Sequence, residues 1–231
     1  MCLLALLPWL AAWIILSGLD DLFVDFLFLK LLWSGRKIKR STQPSRPERL
    51  IAIYVPMWHE HDVIERMIRH NLRVLRYQRY EFFLGAYPND TDTLAALARL
   101  QESGARVHIC VCPHDGPTSK ADCLNWIYQH MLLHEKQASV FFDAIITHDA
   151  EDLIHPDSLS VINRHLDEYD MVQIPVLPLP TGLSQWVHGL YCDEFAESQH
   201  KDLRARVHGG GFLPSCGVGT GLSRETVGPS R

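Results

Sequence analysis

The sequence predicts an α/β fold in which helices cover a mainly parallel sheet. Two observations support this prediction. Short apolar runs alternate with amphipathic segments of helical length, and the loops that follow the apolar runs are polar. Alternation of this kind is typical of parallel sheets, because each crossover places a helix on the sheet. An apolar fraction of 47% over 231 residues is enough for a substantial core.

The first 33 residues are predicted to be a transmembrane or membrane-anchoring segment. Residues 1–19 carry no charged side chain. About 20 apolar residues span a bilayer as a helix, so this segment can span it when tilted. An amphipathic helix over residues 22–33, lying in the membrane interface, is the alternative. A basic linker is predicted at residues 34–49, and its cluster 36–40 places the downstream domain in the cytosol by the positive-inside rule.

Five strands and five helices are expected in the domain that begins at Leu50 and extends to residue 231. The strands are expected at residues 50–55, 80–87, 106–112, 141–147 and 171–177. The helices, in which apolar residues recur at helical spacing, are expected at residues 63–75, 91–103, 119–135, 157–169 and 183–198. The glycine-dense run 217–221 is interpreted as a backbone turn.

Composition and spacing argue against several classes of protein. A net charge of -5 gives no basic field for nucleic acid. The Gly-x-Gly-x-x-Gly and P-loop patterns are absent, which argues against a dehydrogenase and a kinase. His59 and His61 do not match the spacing of a catalytic zinc site. The six cysteines include no Cys-x-x-Cys pair, and Cys110 and Cys112, which share one face of a strand, are assigned to the core.

An acidic run, His148 to Asp152, follows the fourth predicted strand and is the first candidate for a functional site. Asp149 and Glu151 can both turn toward one divalent cation, Mg²⁺ or Mn²⁺, which prefers oxygen ligands and bridges to substrate phosphates. This arrangement indicates a bound diphosphate. The alternative is that Glu151 and Asp152 only enrich the start of the helix opened at Pro156, where the helix dipole favours acids.

Polar residues from other loops are expected at the same edge, because the carboxyl ends of parallel strands lie together. Asp90 can accept a hydrogen bond from a base or a ribose, and Lys120 can neutralise phosphate. For Lys120 there is also a plainer interpretation. Ser119 and Asp122 resemble a capping box, which makes Lys120 an exposed residue in the first turn of a helix.

Several motifs together resemble the family 2 glycosyltransferases, and within them the bacterial phage-adsorption type. The motifs are 55–60 (VPMWHE), 87–90 (YPND), 116–125 (GPTSKADCLN), 148–152 (HDAED), 173–176 (QIPV), 193–195 (DEF) and 214–220 (PSCGVGT), with 17–21 (SGLDD) in the membrane segment. The resemblance covers nearly the whole chain, and residues 116–125 are its most specific block. His59 stands where the family often has Asn, and Glu151 stands where it usually has a second Asp.

The resemblance implies a GT-A fold and an inverting transfer of a sugar from a UDP-linked or related nucleotide sugar to a glycan acceptor. It also implies exopolysaccharide or phage-receptor assembly at the bacterial inner membrane, with the catalytic domain cytoplasmic and an outer-membrane export partner. The residues it assigns are Glu60, Asp90, Lys120 and Asp149 for the nucleotide sugar, Asp149 and Glu151 for the metal, and Cys216 and Gly217 for the acceptor-side loop.

The family's catalytic-base motif is not found after Arg224, so the domain is expected to be incomplete at its C-terminus and the base is unassigned. Asp193 and Glu194 match no base motif. A catalytically inactive nucleotide-sugar-binding or scaffold fragment is therefore the alternative function. A metal-dependent phosphoesterase would need more ligands for a two-metal site than these loops supply.

Overall fold

The computed structural model describes residues 2–34, 47–179, 182 and 184–228, with the side chains of the first helix described from Leu6 onward. The chain divides into a helical unit, segments 1–43 and 175–214, and a sheet unit, segments 44–174 and 215–231. The predicted basic cluster and most of the predicted linker lie outside the described residues. The domain prediction for residues 50–231 stays a prediction, although residues 175–214 group with the first helix in this division.

The elements alternate along the sheet unit as the sequence predicts. Within the described residues the strands are β1 (Ile51–Pro56), β2 (Tyr80–Ala86), β3 (Val107–Val111), β4 (Ala144–Thr147), β5 (Met171–Gln173) and β6 (Thr220–Ser223). The helices are α1 (Cys2–Trp33), α2 (Ile64–Val74), α3 (Thr91–Glu102), α4 (Lys120–Ala138), α5 (Ser158–His165), α6 (Trp186–Glu197), α7 (Leu203–His208) and α8 (Arg224–Val227). A π-helical turn, Ser198–Asp202, joins α6 to α7.

The strands form one sheet in the order β3-β2-β1-β4-β6-β5. The first four of these strands are parallel, with Tyr54 of β1 opposite Phe83 of β2 and Thr147 of β4. Strand β6 lies antiparallel between β4 and β5. The predicted α/β fold with a mainly parallel sheet is thus confirmed, and β6 makes the sheet mixed.

Each face of the sheet carries its own core, because successive side chains of a strand point to opposite faces. Ile51, Ile53 and Val55 pack on the face covered by α2, α3 and α5. The other face lies under α4 and includes Cys110 and Cys112. Burial raises the pKa of both thiols to about 12, so they stay protonated at neutral pH. Their predicted core role is confirmed.

Helix α4 lies close to the sheet because β2 carries a glycine beneath it. A Cβ on Gly85 would stand 2.6 Å from Cys123 Sγ and 2.6 Å from Ile127 Cδ1. The helix begins at Lys120, after the carboxyl end of β3, and its last turns approach the amino ends of the strands. One helix therefore contributes residues to both edges of the sheet.

Several elements differ from the prediction in length or kind. Strand β4 begins at Ala144. The residue before it, Asp143, accepts a hydrogen bond from the N–H of Leu50 through Oδ2 at 2.9 Å. Strand β5 ends at Gln173, and α5 ends at His165. The run 217–221 is a turn only at its start, because Thr220–Ser223 form β6. That strand was not predicted, since its sequence is short and glycine-rich.

In the helical unit, α1 exposes many large apolar side chains. They include Leu6, Trp9, Trp13, Ile14, Leu16, Leu19, Phe23 and Phe26. Lys201 donates to Asp25 Oδ1 of this helix at 2.8 Å and also pairs with Glu197. Among the described residues, no helix combines the length and the apolar content that crossing a membrane requires. The transmembrane helix predicted within residues 1–33 is therefore not supported.

Candidate functional site

The acidic run forms a tight turn directly after β4. The N–H of Asp152 donates to the carbonyl of Asp149 at 3.2 Å. In return Asp152 Oδ2 accepts from the N–H of Asp149 at 3.0 Å and from His148 Nδ1 at 2.9 Å. Helix α5 begins only at Ser158. The acids are therefore in the turn itself, and the alternative that they enrich the first turn of a helix is wrong.

Asp152 supports the acidic turn with its side chain. Burial acts to raise the pKa of this carboxyl, but the hydrogen bonds from His148 and Asp149 and the charge of Lys120 outweigh burial. The net effect lowers the pKa, so Asp152 is ionised at neutral pH. Because Asp152 Oδ2 holds the turn together through these two contacts, Asp149 and Glu151 are the acids of the run that we consider for a ligand.

Lys120 reaches the acidic turn from the start of α4. Its Nζ pairs with Asp149 Oδ1, and both side chains are partly exposed. Ser119 is the N-cap residue of this helix, and its hydroxyl accepts from the N–H of Asp122 at 3.2 Å. The predicted cap is thus present together with the predicted proximity of Lys120 to the acidic run. Both interpretations of this segment hold at once.

The acids of two different loops interact electrostatically at this edge. Burial raises the pKa of Glu60, and the negative charges of Glu151, Asp149 and Asp90 raise it further. Glu60 follows β1, whereas Asp149 and Glu151 follow β4. Because β1 and β4 are neighbouring parallel strands, these acids lie at the same edge of the sheet. A cluster of carboxylates with one lysine is an arrangement that can hold a cation and an anion side by side.

Asp90 lies beneath this cluster and holds the loop after β1. Its side chain is 1% exposed, and Oδ2 accepts from the N–H of His59 at 2.7 Å while Oδ1 accepts from the N–H of Thr93 at 3.3 Å. Burial acts to raise its pKa, but these hydrogen bonds prevail and lower it. Asp90 therefore caps α3 and positions the segment that carries Glu60.

An aromatic cavity of about 190 Å³ lies beside Lys120. Its lining includes Trp58 and Tyr87, whose rings meet edge to face at 5.6 Å, together with Pro117 and Thr118. The hydroxyls of Tyr87 and Thr118 are 2.6 Å apart. Of the lining residues, only Lys120 was predicted as a site residue, although aromatic residues within two positions of the ends of two parallel strands, Trp58 after β1 and Tyr87 after β2, are a signal that points to this edge.

The predicted acceptor-side loop closes the site from the side of β6. Thr147 Oγ1 donates to the carbonyl of Gly217 at 3.1 Å, and the N–H of Cys216 donates to Gln173 Oε1 at 3.0 Å. Gly217 has φ +82°, a conformation that favours glycine, and a Cβ there would stand 3.8 Å from Lys120 Nζ. The loop is therefore held beside the lysine and the acidic turn.

The sequence-predicted residues are thus brought together in large part. Glu60, Lys120, Asp149, Glu151 and Gly217 belong to one edge of the sheet unit. Asp193 and Glu194 are exposed on α6, in the helical unit.

Comparison with known proteins identifies relatives of this chain. The sequence model of the family described as Glycosyltransferase like family 2 matches residues 47–228. The chain is 38% identical over 231 residues to Bacteriophage adsorption protein B of Escherichia coli strain K12, and likewise to Bacteriophage N4 adsorption protein B of Escherichia coli O157:H7. Each match covers 94% of this chain and 30% of the relative, so the chain spans less than a third of the length of these relatives.

A solved structure shares the fold. It is the mannosyltransferase PcManGT from Pyrobaculum calidifontis in complex with GDP-Man and Mn²⁺, at 16% identity and a TM-score of 0.59. The match covers 93% of this chain and 56% of that one. At this level of identity the similarity concerns the fold alone.

Proposed function

The chain belongs to glycosyltransferase family 2, and we propose that it transfers a sugar from a nucleotide-sugar donor to a glycan acceptor. The donor binds at the carboxyl edge of the sheet, between the acidic turn and the aromatic cavity. The observation that carries the proposal is the pairing of Lys120 with Asp149 beside Glu60 and Glu151. These residues follow three different strands, yet they face one another.

A divalent cation, Mg²⁺ or Mn²⁺, fits the carboxylates of Asp149 and Glu151, because such ions take oxygen ligands and bridge to phosphates. Repulsion among Glu60, Asp149 and Glu151 supports this assignment, since a bound cation relieves it. When bound, the cation neutralises the diphosphate leaving group. Lys120 exchanges its contact with Asp149 for a phosphate oxygen of the donor. The mannosyltransferase of the same fold has Mn²⁺ and GDP-Man in its complex, which agrees with this proposal.

The base of the donor nucleotide occupies the aromatic cavity. Trp58 and Tyr87 offer ring faces and edges, and the cavity opens beside Lys120, where the diphosphate would begin. Asp90 positions the loop from below. The acceptor approaches the Cys216–Gly217 loop, and transfer inverts the anomeric configuration, as the family resemblance implies. No residue is assigned as the base that removes the acceptor proton.

Calorimetric titration tests the donor site. UDP-sugars and GDP-mannose are titrated into the full chain, solubilised in mild detergent, with and without Mn²⁺. We expect donor binding that requires the cation. Asp149→Ala should weaken this binding by roughly 100-fold, because substitutions of residues that only support metal ligands already lower affinity by about 10- to 100-fold. Asp92→Ala is the matched control, because Asp92 is exposed in the first turn of α3. Metal-independent binding that Asp149→Ala leaves intact would remove the donor-site assignment.

Release of the nucleoside diphosphate distinguishes a transferase from a donor-binding module. Donor, Mn²⁺ and a candidate glycan acceptor are incubated with the chain, and the free diphosphate is measured. Acceptor-dependent release supports transfer, and NMR of the product anomer tests inversion. Binding without release in the presence of acceptor favours the alternative, a nucleotide-sugar-binding scaffold.

Attachment to the bacterial inner membrane, with the catalytic domain on the cytoplasmic side, is a further part of the proposal. The exposed apolar side chains of α1 support it, because burying them in the interface of a bilayer is favourable. Flotation with phospholipid vesicles tests it. The double variant Trp9→Lys and Trp13→Lys should lose flotation, whereas Leu133→Lys with Leu153→Lys, also exposed, should keep it. Equal flotation of both would contradict attachment through α1. An outer-membrane export partner stays a prediction.

A further inference from the structure

Three ligand-type side chains converge at the amino edge of the sheet, opposite to the proposed donor site. Glu81 is the second residue of β2, His108 is the second residue of β3, and His134 lies near the end of α4. Glu81 Oε2 lies 2.6 Å from His108 Nε2 and 3.4 Å from His134 Nε2. Both imidazoles therefore point their Nε2 atoms at one carboxylate oxygen.

The register of the sheet explains why these side chains meet. Glu81 pairs with Ala52, and His108 pairs with Phe83, so both point to the face that α4 covers. His134 follows Met131, which is fully buried on that face, by one turn of the helix. The cluster thus continues the core under α4 to the point where it reaches solvent.

Packing fixes the orientation of the two rings. Phe83 stacks on His108 with ring centroids 4.6 Å apart and meets His134 edge to face at 5.9 Å. The two imidazole centroids are 4.1 Å apart. Side chains of the cluster are between a quarter and a third exposed. The apolar wall preorganises the nitrogen atoms, while the open side leaves room for a water molecule.

A hydrogen bond between Glu81 and His108 explains the 2.6 Å distance between them. It does not explain why the Nε2 atom of His134 points at the same carboxylate oxygen. Two imidazole nitrogens aimed at one carboxylate oxygen are in the arrangement of a three-ligand metal site, and all three ligand atoms lie within 4.8 Å of one another. Zinc–ligand bonds of about 2.0–2.2 Å in a tetrahedron place ligand atoms about 3.3–3.6 Å apart. The distance from Glu81 Oε2 to His134 Nε2 already lies in this range, and the distance to His108 Nε2 needs to open by about 0.7–1.0 Å.

We propose that Glu81, His108 and His134 bind a zinc-like divalent transition-metal ion, with water in the fourth position. Two imidazoles and one carboxylate are a known zinc ligand set and do not suit Mg²⁺, which prefers oxygen ligands only. When the ion binds, it takes the place of the proton between His108 Nε2 and Glu81. That proton is released to solvent or transferred to Nδ1 of His108. The ion ties β2, β3 and α4 together, and therefore stabilises the sheet unit from the edge opposite to the donor site.

Zinc alone is the probe, and the full chain is freed of metal by dialysis against a chelator. We expect one zinc ion per chain by mass spectrometry of the metal content. A zinc concentration about 100 times Kd should raise Tm by roughly 5–10 °C, and Mg²⁺ at the same concentration should not reproduce the rise. Co²⁺ should give the intense visible absorption of a four-coordinate site.

Matched variants locate the ion. His134→Gln should weaken zinc binding by more than about 10-fold and abolish the rise in Tm. His130→Gln, on the same helix, should change neither, because His130 Nε2 contacts only the carbonyl of Val111 among the contacts described for it. If His134→Gln does not fold, as circular dichroism will show, Glu81→Gln, which preserves shape and size, replaces it.

The outcomes separate this site from the donor site. Zinc retained by Asp149→Ala and lost by His134→Gln supports the proposal, whatever the result of the nucleotide-sugar titrations. Three results would overturn the proposal. The native chain binds no zinc, the native chain and His134→Gln bind zinc equally, or zinc is lost only in Asp149→Ala.

Discussion

The two edges of the sheet carry different ligand chemistry. At the carboxyl edge Asp149 pairs with Lys120, and the charges of Asp149 and Glu151 act on Glu60. At the amino edge one carboxylate faces two imidazoles that pack against Phe83. Oxygen ligands suit Mg²⁺ or Mn²⁺ and a diphosphate, whereas nitrogen ligands suit zinc. The two edges therefore present different kinds of ligand atoms, and the two proposed sites would select different ions by that difference.

Helix α4 is the element that the two edges share. Lys120 stands at its first residue and His134 near its last turn. Changes at one end of the helix should therefore leave the other end intact, whereas a change in its middle should affect both.

The largest effect is expected from Asp149→Asn. The substitution removes the charge of the proposed metal ligand at the carboxyl edge, so kcat/KM for the proposed sugar transfer should fall by roughly 100-fold or more, about 2.7 kcal/mol. Initial rates of diphosphate release measure it, and Asp92→Asn is the control. Zinc content should be unchanged. A parallel loss of zinc would show that the two edges are not independent.

Gly85→Ala should disturb both edges at once. The added Cβ would stand 2.6 Å from Cys123 Sγ and Ile127 Cδ1, so these side chains of α4, or the helix itself, must shift away from β2. Overpacking of this kind costs about 1–3 kcal/mol, which lowers Tm by roughly 2–12 °C. Both donor affinity and zinc affinity should fall with it.

Thermal unfolding and the two titrations check the effect of Gly85→Ala. Gly189→Ala is the matched control, since nothing lies within 4 Å of a Cβ at Gly189. Weakened binding at only one edge would contradict the role of α4 as the shared element.

Asp90→Asn should disturb the carboxyl edge alone, and it should do so by lowering the free energy of unfolding. Its two carboxylate oxygens accept from His59 and Thr93, and an amide can accept through only one atom, so the cost is about 1–2 kcal/mol at pH 7. The folded pKa of Asp90 is lowered, so its stabilisation is present above the unfolded pKa of about 3.9 and is lost as pH falls through the folded pKa.

Denaturant unfolding of the Asp90→Asn and native chains between pH 7 and pH 2 measures this difference. The two curves should converge at the acidic end. Asp92→Asn, which changes an exposed carboxyl in the same helix, serves as control. A difference that persists unchanged at the lowest pH would exclude the charged carboxyl as its source.

Glu60→Gln should give the smallest effect, and it should be a gain. The folded pKa of Glu60 is raised, so its favourable contribution is present below the unfolded pKa of about 4.3 and is lost as pH rises through the folded pKa. Without a divalent cation, Glu60→Gln should raise Tm at pH 7 by about 1–3 °C and leave it unchanged at pH 4. Glu102→Gln, at an exposed position at the end of α3, is the control. A Tm that is equal at pH 7 would show that the acids do not repel one another.

The carboxyl edge was largely predictable because its residues occur in the loops that follow apolar strands. Asp149, Glu151, Lys120 and Glu60 could be placed together once the strands were taken as parallel. The role of Asp90 was not predictable in full, since its burial and its two backbone partners depend on how the loop after β1 folds over α3.

The amino edge had no sequence signal. Glu81, His108 and His134 are far apart in the chain and match no metal-binding spacing. Strand β6 also lacked a sequence signal. A four-residue strand with a glycine is stabilised by pairing with β4 and β5 rather than by an apolar pattern of its own. Such features follow from contacts between distant segments.

The alternation of strands and helices, the parallel strands β1 to β4 and the acids of the turn after β4 follow from the amino-acid sequence, because side-chain periodicity and loop position are local properties. The insertion of β6, the pairing of Lys120 with Asp149 and the convergence of the two histidines on Glu81 arise only when the chain folds. These depend on strand register and on the close approach of α4 over Gly85, which bring side chains together through space and not along the chain.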